Sequence, residues 1–317
     1  MNNFWQKLSK KGPILALAPM AGITDSAYRL VCKQNGADVV YSEMTSIDAL
    51  AYNSKKTFEM LKYDKKEKPV VLQLFGKRPE KVRRAVEIVE SAGFDGIDLN
   101  FGCPARKVVN HGGGITLLRD LDLCYELVQA VCEATKLPVS VKTRVSLDNK
   151  KITVYDFIDK IRELPVSALM LHGRTYEQKF TGDIDFQTMK AVKRKFNGIV
   201  IGNGGVNTPE DAKHMIDATG VDGIGLARGI YGKPWLFSQI KDYLKNGICE
   251  FPDINTIKKI VLAHAKAAHN MKGKFGIIEM RKHLCWYFKG LPNANALRKD
   301  FVQITTINDI KTAFKKF

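Results

Sequence analysis

Eight short aliphatic or β-branched runs recur along the chain: Ile14–Ala18, Val39–Ser42, Val70–Leu74, Gly96–Asn100, Val139–Lys142, Ala168–Leu171, Ile199–Gly202 and Gly223–Leu226. Short apolar runs of this kind, closed by polar or glycine-rich turns, suit strands buried on both faces. Between them lie stretches whose apolar residues repeat at helical spacing, such as Glu80–Ala92, Leu121–Thr135, Val154–Leu164 and Pro209–Thr219. Pro79 and Pro209 stand where helices begin, and Thr208 fits an N-cap. Eight strands alternating with helices predict a closed (β/α)8 TIM barrel over residues 13–240. An open doubly wound sheet is the competing arrangement. The count of eight and the polar residue closing every strand favour the barrel.

The pattern changes after Trp235. Leu236–Lys245 reads as a helix that completes the barrel, and Asn246-Gly247 breaks it. From Asn255 onward no strand is indicated; Ile257, Ile260, Val261 and His264 share one helical face. Ile278–Phe288 and Ile307–Phe317 continue as helices, with Leu291-Pro292-Asn293 as a breaker. The expectation is two domains: a barrel over residues 1–245 and a small α-helical domain over 246–317.

Charge sharpens that division. The chain has 317 residues and a net charge of +17. Residues 247–317 carry 13 Lys/Arg against 5 Asp/Glu, so nearly half of the excess sits in 71 residues. Such a surface favours a nucleic-acid partner, because neutralising phosphates releases counterions; a merely solvated basic face is the competing reading. No apolar run approaches the ~20 residues of a membrane span, and Met1 to Lys11 lacks the features of a signal peptide. The six cysteines (Cys32, Cys103, Cys124, Cys132, Cys249 and Cys285) are scattered without a C-x-x-C pair. Free thiols in a reducing compartment are therefore expected, and with them a cytoplasmic location. No metal-ligand spacing and no obligate protein partner are indicated.

In a barrel of this kind chemistry gathers at the C-terminal ends of the strands. Those ends read Pro19-Met20-Ala21-Gly22, Glu43, Gln73, Asn100 with Cys103, Lys142 with Arg144, His172 with Arg174, Asn203-Gly204-Gly205, and Ala227-Arg228-Gly229. The last two loops let backbone N–H groups approach a ligand closely, and Arg228 can fork onto a phosphate. Gln73 and Lys142 offer donors to ring carbonyls and to a ring nitrogen that gains electron density on reduction. Pro19-Met20-Ala21 supplies a soft wall. The set suits a flat ring bearing a phosphate, hence flavin mononucleotide (FMN). A G-x-G-x-x-G dinucleotide fingerprint is absent. Cys103 sits on a Gly-Cys-Pro turn at the end of its strand, a better place for chemistry than for packing.

Ala18-Pro19-Met20-Ala21-Gly22-Ile23-Thr24-Asp25, Asn100-Phe101-Gly102-Cys103-Pro104, Val141-Lys142-Thr143-Arg144, His172-Gly173-Arg174-Thr175 and Gly202-Asn203-Gly204-Gly205 resemble, in this order, the tRNA-dihydrouridine synthases. The tail, Met280-Arg281-Lys282-His283 with Trp286-Tyr287 and Leu291-Pro292, is most similar to the bacterial B-type branch. The resemblance runs nearly the full length. It implies an FMN-binding barrel, a helical domain that grips tRNA, and reduction of the C5–C6 double bond of particular uridines, with NADPH recharging the flavin. Carried over, the flavin residues are Pro19, Met20, Ala21, Gln73, Lys142, His172, Asn203, Gly204, Gly205, Ala227 and Arg228. Asn100, Arg144 and Arg174 fall to the substrate, and Cys103 matches the catalytic cysteine. Gly205 stands where the family often has Asp, and Ala227 where it often has Gly. Contacts made by backbone survive both changes, whereas a side-chain hydrogen bond from position 205 does not.

Hydride delivery to uracil C6 leaves negative charge toward C5, and a proton must reach C5 from the opposite face. Cys103, with an ordinary thiol pKa near 8.5, can supply it as general acid. Thiolate attack at C6 would block the hydride's own target. The other cysteines read as small packing residues. A uridine in folded RNA must be extruded to reach a barrel mouth, and Lys258, Lys266, Lys272, Lys274, Arg281, Lys282, Lys289, Arg298 and Lys299 would grip the RNA while that happens. An FMN-dependent oxidoreductase of free pyrimidines, of dihydroorotate or dihydropyrimidine dehydrogenase type, would not need that domain. A non-catalytic RNA-binding protein would not need Cys103 among flavin-type residues.

Overall fold

The computed structural model describes residues 3–291 and 294–315. Eight parallel strands close into a barrel in sequence order: β1 (Ile14–Leu17), β2 (Val39–Ser46), β3 (Val70–Phe75), β4 (Gly96–Phe101), β5 (Val139–Arg144), β6 (Val166–His172), β7 (Ile199–Asn203) and β8 (Gly223–Leu226). Closure is made by β1 on β8, in the register Ile14↔Gly223 to Leu17↔Leu226. Gly223 is fixed by this seam, since a Cβ there would lie 2.2 Å from the Ile14 carbonyl oxygen.

Strand periodicity divides the core into two layers. Ile14, Ala16 and Ala18 belong to a cluster with Val39, Tyr41, Val71, Met170 and Ile201, while Leu15 and Leu17 pack in the larger cluster between sheet and helices. The N-terminal end of the barrel is closed by a short helix, Phe4–Ser9, whose Trp5 is fully buried in the first of these clusters. Phe4, Trp5 and Leu8 stand out in the sequence without marking an element, because six residues carry too little periodicity. Helices Val82–Ser91, Leu121–Ala134, Val154–Lys160 and Pro209–Thr219 occupy the amphipathic stretches. Thr208 caps the last of them in a reciprocal capping box with Asp211.

β2 runs on to Ser46, past the expected end at Ser42, with a register shift between Tyr41 and Met44. The polar pair Ser42-Glu43 reads as a terminus but is a bulge. Beyond the barrel come helices Leu236–Asn246, Ile254–Lys272, Lys274–Tyr287, Ala294–Phe301 and Ile307–Phe314. The last four bury a cluster of their own, including Val261, Ile277, Leu284, Phe288, Phe301 and Ile310, which reaches the barrel at Ala27 and Trp235, whereas Leu236, Phe237 and Ile240 of the first pack into the barrel's own cluster. Pro292 and Asn293 of the expected breaker, and the last two residues of the expected final helix, lie outside the described residues. Among the described residues, no helix is long and apolar enough to cross a membrane.

Candidate active site

A cavity of about 740 Å³ opens at the C-terminal ends of the strands. All fifteen candidate site residues line it: Pro19, Met20, Ala21, Gln73, Asn100, Cys103, Lys142, Arg144, His172, Arg174, Asn203, Gly204, Gly205, Ala227 and Arg228. Glu43, also a strand-end residue in the sequence, does not line it. Its carboxylate turns aside to accept the Gly22 N–H at 2.5 Å, tethering the loop after β1.

Register explains the convergence. Asn100 pairs with Lys142, Arg144 with His172, His172 with Asn203, and Asn203 with Gly225, so neighbouring strands deliver inward side chains at matching height. One level deeper, Gln73, Asp98 and Ser140 are lateral neighbours. The Asp98 carboxylate accepts from Gln73 Nε2 at 2.7 Å and from Ser140 Oγ at 2.6 Å. Gln73 Oε1 accepts from Asn100 Nδ2 at 2.8 Å, and Asn100 Oδ1 accepts the backbone N–H groups of Gly102 (3.1 Å) and Cys103 (2.9 Å). Asp98 and Ser140 were not among the expected site residues, because a residue two positions before the mouth of its strand reads as core.

The cavity is cationic. Lys142, Arg144, Arg174 and Arg228 line it, and Asp98 is the carboxylate lying beneath. Burial, reinforced by Arg144, brings the Lys142 pKa down to about 8; its ammonium donates to Asn203 Oδ1 at 3.2 Å. Burial raises the Asp98 pKa to about 6. Burial and then Arg144, Lys142, Arg174 and Arg228 press His172 far below the ordinary imidazole value, so its ring is neutral. Its buried Nε2 has no hydrogen-bond partner among the described residues.

The arginines divide their labour. Arg144, almost fully buried, donates from Nε to the Gly102 carbonyl at 3.1 Å and from Nη1 to those of Thr175 and Lys179, both at 2.9 Å. It thereby ties the Cys103 turn to the loop after β6. Arg174 donates to the Gly182 carbonyl at 2.8 Å. Arg228 stacks 4.2 Å from the centroid of the Phe180 ring, a cavity-lining residue that nothing in the sequence pattern singled out.

Glycine is required at two close approaches. A Cβ on Gly204 would sit 2.6 Å from His172 Cδ2, and one on Gly229 would sit 2.0 Å from the Val206 carbonyl oxygen. The turns after β7 and β8 therefore meet backbone to backbone.

Cys103 is half-buried, and burial raises its pKa, partly offset by a hydrogen bond from Ala105 and by Lys142 and Arg144. It remains a thiol at neutral pH. Cys124 and Cys132 are pushed up to about 12 by burial.

A family model described as dihydrouridine synthase matches residues 16–316. The chain is 35% identical over 292 residues to tRNA-dihydrouridine synthase B of Pseudomonas aeruginosa, covering 90% of this chain and 87% of that one. The chain belongs to the dihydrouridine synthase family. A probable tRNA-dihydrouridine synthase of Rickettsia bellii is 36% identical over 287 residues, covering 90% and 88%. Its relatives place this dihydrouridine synthase in the bacterial B-type branch. Among solved structures, histamine dehydrogenase from Rhizobium sp. 4-9 shares the barrel with a TM-score of 0.57 at 15% identity, covering 80% of this chain and 48% of that one.

Four of the cations expected to grip RNA make contacts within their own chain. Lys258 donates to the Phe314 carbonyl at 3.1 Å, Arg281 to that of Ile304 at 2.9 Å, and Lys282 to that of Gly22 at 2.5 Å. Lys272 bridges Asp25 (2.7 Å) and Glu279 (2.6 Å). These four hold the protein together, because long side chains on a curved helical surface reach carbonyls and carboxylates of their own chain. Lys266, Lys274, Lys289, Arg298 and Lys299 are exposed.

Proposed function

We propose that this chain reduces the C5–C6 double bond of uridines in tRNA, with tightly bound FMN recharged by NADPH. The observation that carries the reading is Cys103, a protonated thiol lining a cationic cavity that is also lined by a neutral histidine whose Nε2 has no partner among the described residues.

The residues fit a flavin. His172 Nε2 is a buried polar atom with no partner among the described residues, and Gly204 and Gly205 line the cavity at positive φ, where side chains would be strained and would meet His172 and Ile184. Gly204, Gly205 and Arg228 would take the phosphate; Pro19, Met20, Ala21, Asn203 and Ala227 would wall the ring. Gln73 keeps a second N–H on Nε2 beyond the one given to Asp98, and Lys142 offers a cation. When bound and reduced, the flavin supplies a hydride to uracil C6. Cys103 gives its proton to C5, and solvent reprotonates the sulfur. Lys142 and Arg144 favour the thiolate that forms, easing the transfer without deprotonating the resting thiol. Asn100 and Arg174 would orient the uracil, and Arg144 fixes the loops on which it lies.

The two working parts are residues 1–245 and 246–317, the second presenting its exposed lysines and arginines to tRNA phosphates. Trp286 of the helical part lies flat on Tyr231 of the cavity wall, with centroids 4.3 Å apart and planes 7° apart, so RNA held by one part is presented to the other. The deciding test maps dihydrouridine in total tRNA from cells with and without the gene. Loss of the base at defined positions is expected; an unchanged map, together with turnover of free pyrimidines by the purified protein, would overturn the reading.

A further inference from the structure

Below the cavity a buried carboxylate starts a hydrogen-bonded row that ends on the Cys103 turn. Asp98 is fully buried and Gln73 nearly so. A carboxylate can only accept hydrogen bonds, so the Gln73 amide must present Nε2 to it. Gln73 Oε1 is then turned toward Asn100 and must meet a donor, Nδ2 at 2.8 Å. The Asn100 oxygen is thereby left for the N–H groups of Gly102 and Cys103. Were either amide reversed, an NH2 group would face those two N–H donors, and the turn would lose its cap. Ser140 imposes no direction, since a hydroxyl both donates and accepts.

We propose that Asp98 is a positioning residue: through Gln73 and Asn100 it fixes the orientation of two amides and so the conformation of the Cys103 turn. It touches neither substrate nor cofactor. The proposal deepens the functional reading above, yet its test reads the turn itself and needs no tRNA. Gln73 and Asn100 are the two residues most constrained, so the same carboxylate sets the donors that the cavity presents.

The measurement is the rate at which iodoacetamide alkylates Cys103 in the protein as purified, followed by mass spectrometry of its peptide. Asp98→Asn can still accept from Gln73 while donating to Ser140, so its rate should stay within about twofold of wild type. Asp98→Leu, similar in size but without a hydrogen-bonding group, should change it by about threefold to tenfold, as expected for loss of a side-chain cap. Asn100→Asp alone sets an acceptor against Gln73 Oε1 and should change the rate similarly. Combining it with Asp98→Asn reverses the whole row with every partner satisfied, and should restore the rate. Asp98→Leu in the same background removes the same charge without supplying a donor, and should not restore it. Restoration by Asn but not by Leu separates the relay from plain charge repulsion. Equal behaviour of the Asn and Leu variants, or no coupling between positions 98 and 100, would overturn the proposal. If a single variant fails to fold, the Asp98→Asn/Asn100→Asp pair is still expected to fold; its failure overturns the proposal too. Loss of tRNA activity alone bears on the functional reading, not on this one.

Discussion

Lys282, from the helix Lys274–Tyr287, donates its ammonium to the carbonyl of Gly22, 2.5 Å away, on the loop that carries Met20 and Ala21 into the cavity. The same loop is held from the other side by Glu43 at the Gly22 N–H and followed by Asp25, which pairs with Lys272. A helical part expected only to grip RNA thus also shapes the wall of the cavity.

Lys282→Met should therefore loosen the flavin. Removing one charge-assisted hydrogen bond from a partly exposed loop should raise the flavin dissociation constant by about threefold to tenfold. Ultrafiltration at graded flavin concentrations measures it. An unchanged constant with weakened tRNA binding would return Lys282 to the RNA surface.

Cys103→Ala should keep its flavin and accept electrons from NADPH, yet lose about 10²–10⁴-fold in the rate at which tRNA reoxidises it. Stopped-flow absorbance of the two half-reactions separates these steps. Because burial raises the thiol above its ordinary value, the wild-type oxidative step should hold its rate through neutral pH and fail only on the alkaline side. Near-normal reoxidation in the variant would mean that another group delivers the proton.

How much of this was legible in the sequence follows from what kind of signal each feature leaves. The strands read clearly because a parallel barrel buries both faces, so Val139–Val141 or Leu169–Leu171 stand out as apolar runs. The cavity lining read clearly because polar residues at strand ends interrupt those runs. The Phe4–Ser9 plug and the helix Ser26–Gln34 did not, being only six and nine residues long. Asp98 and Ser140 were hidden by height: they sit inside a strand, and only the lateral register shows that they lie level with Gln73. The charge excess of the tail was legible as a sum. Which lysines face solvent was not, because that depends on carbonyls brought near by folding, such as Gly22 beside Lys282 and Phe314 beside Lys258.

Lys142 predicts a pH dependence. Its folded pKa, lowered to about 8 by burial, lies below its unfolded value of 10.5. Such a group adds its full contribution to stability only above the unfolded value, and that contribution is lost as pH falls through about 8. The flavin-free protein should therefore lose melting temperature as pH falls through this window, by more than Lys142→Met does. Bound flavin should reduce the loss, because an electron-rich ring favours the ammonium. Flavin affinity should correspondingly weaken as pH rises through about 8. Parallel melting curves for wild type and variant would refute the assignment of this charge to the cavity.

The salt dependence of tRNA binding tests the remaining cations. Lys266, Lys274, Arg298 and Lys299 are exposed on the helices beyond the barrel, whereas Arg281 and Lys282 are engaged with backbone carbonyls. Neutralising the first four to Gln should leave melting temperature and flavin content unchanged, since exposed charges contribute little to stability. For every phosphate that is no longer neutralised, the slope of log affinity against log salt should flatten by about 0.7 to 0.9. Filter binding across a salt series measures that slope, and NADPH oxidation by the bound flavin controls for an intact barrel. A slope identical to wild type would shift the RNA-binding surface to the barrel rim, where Arg106, Lys107 and Lys179 are exposed beside the cavity mouth. Removing the helical part altogether would be a poorer test, because it would uncover Ala27 and Trp235 and strip Gly22 of its lysine.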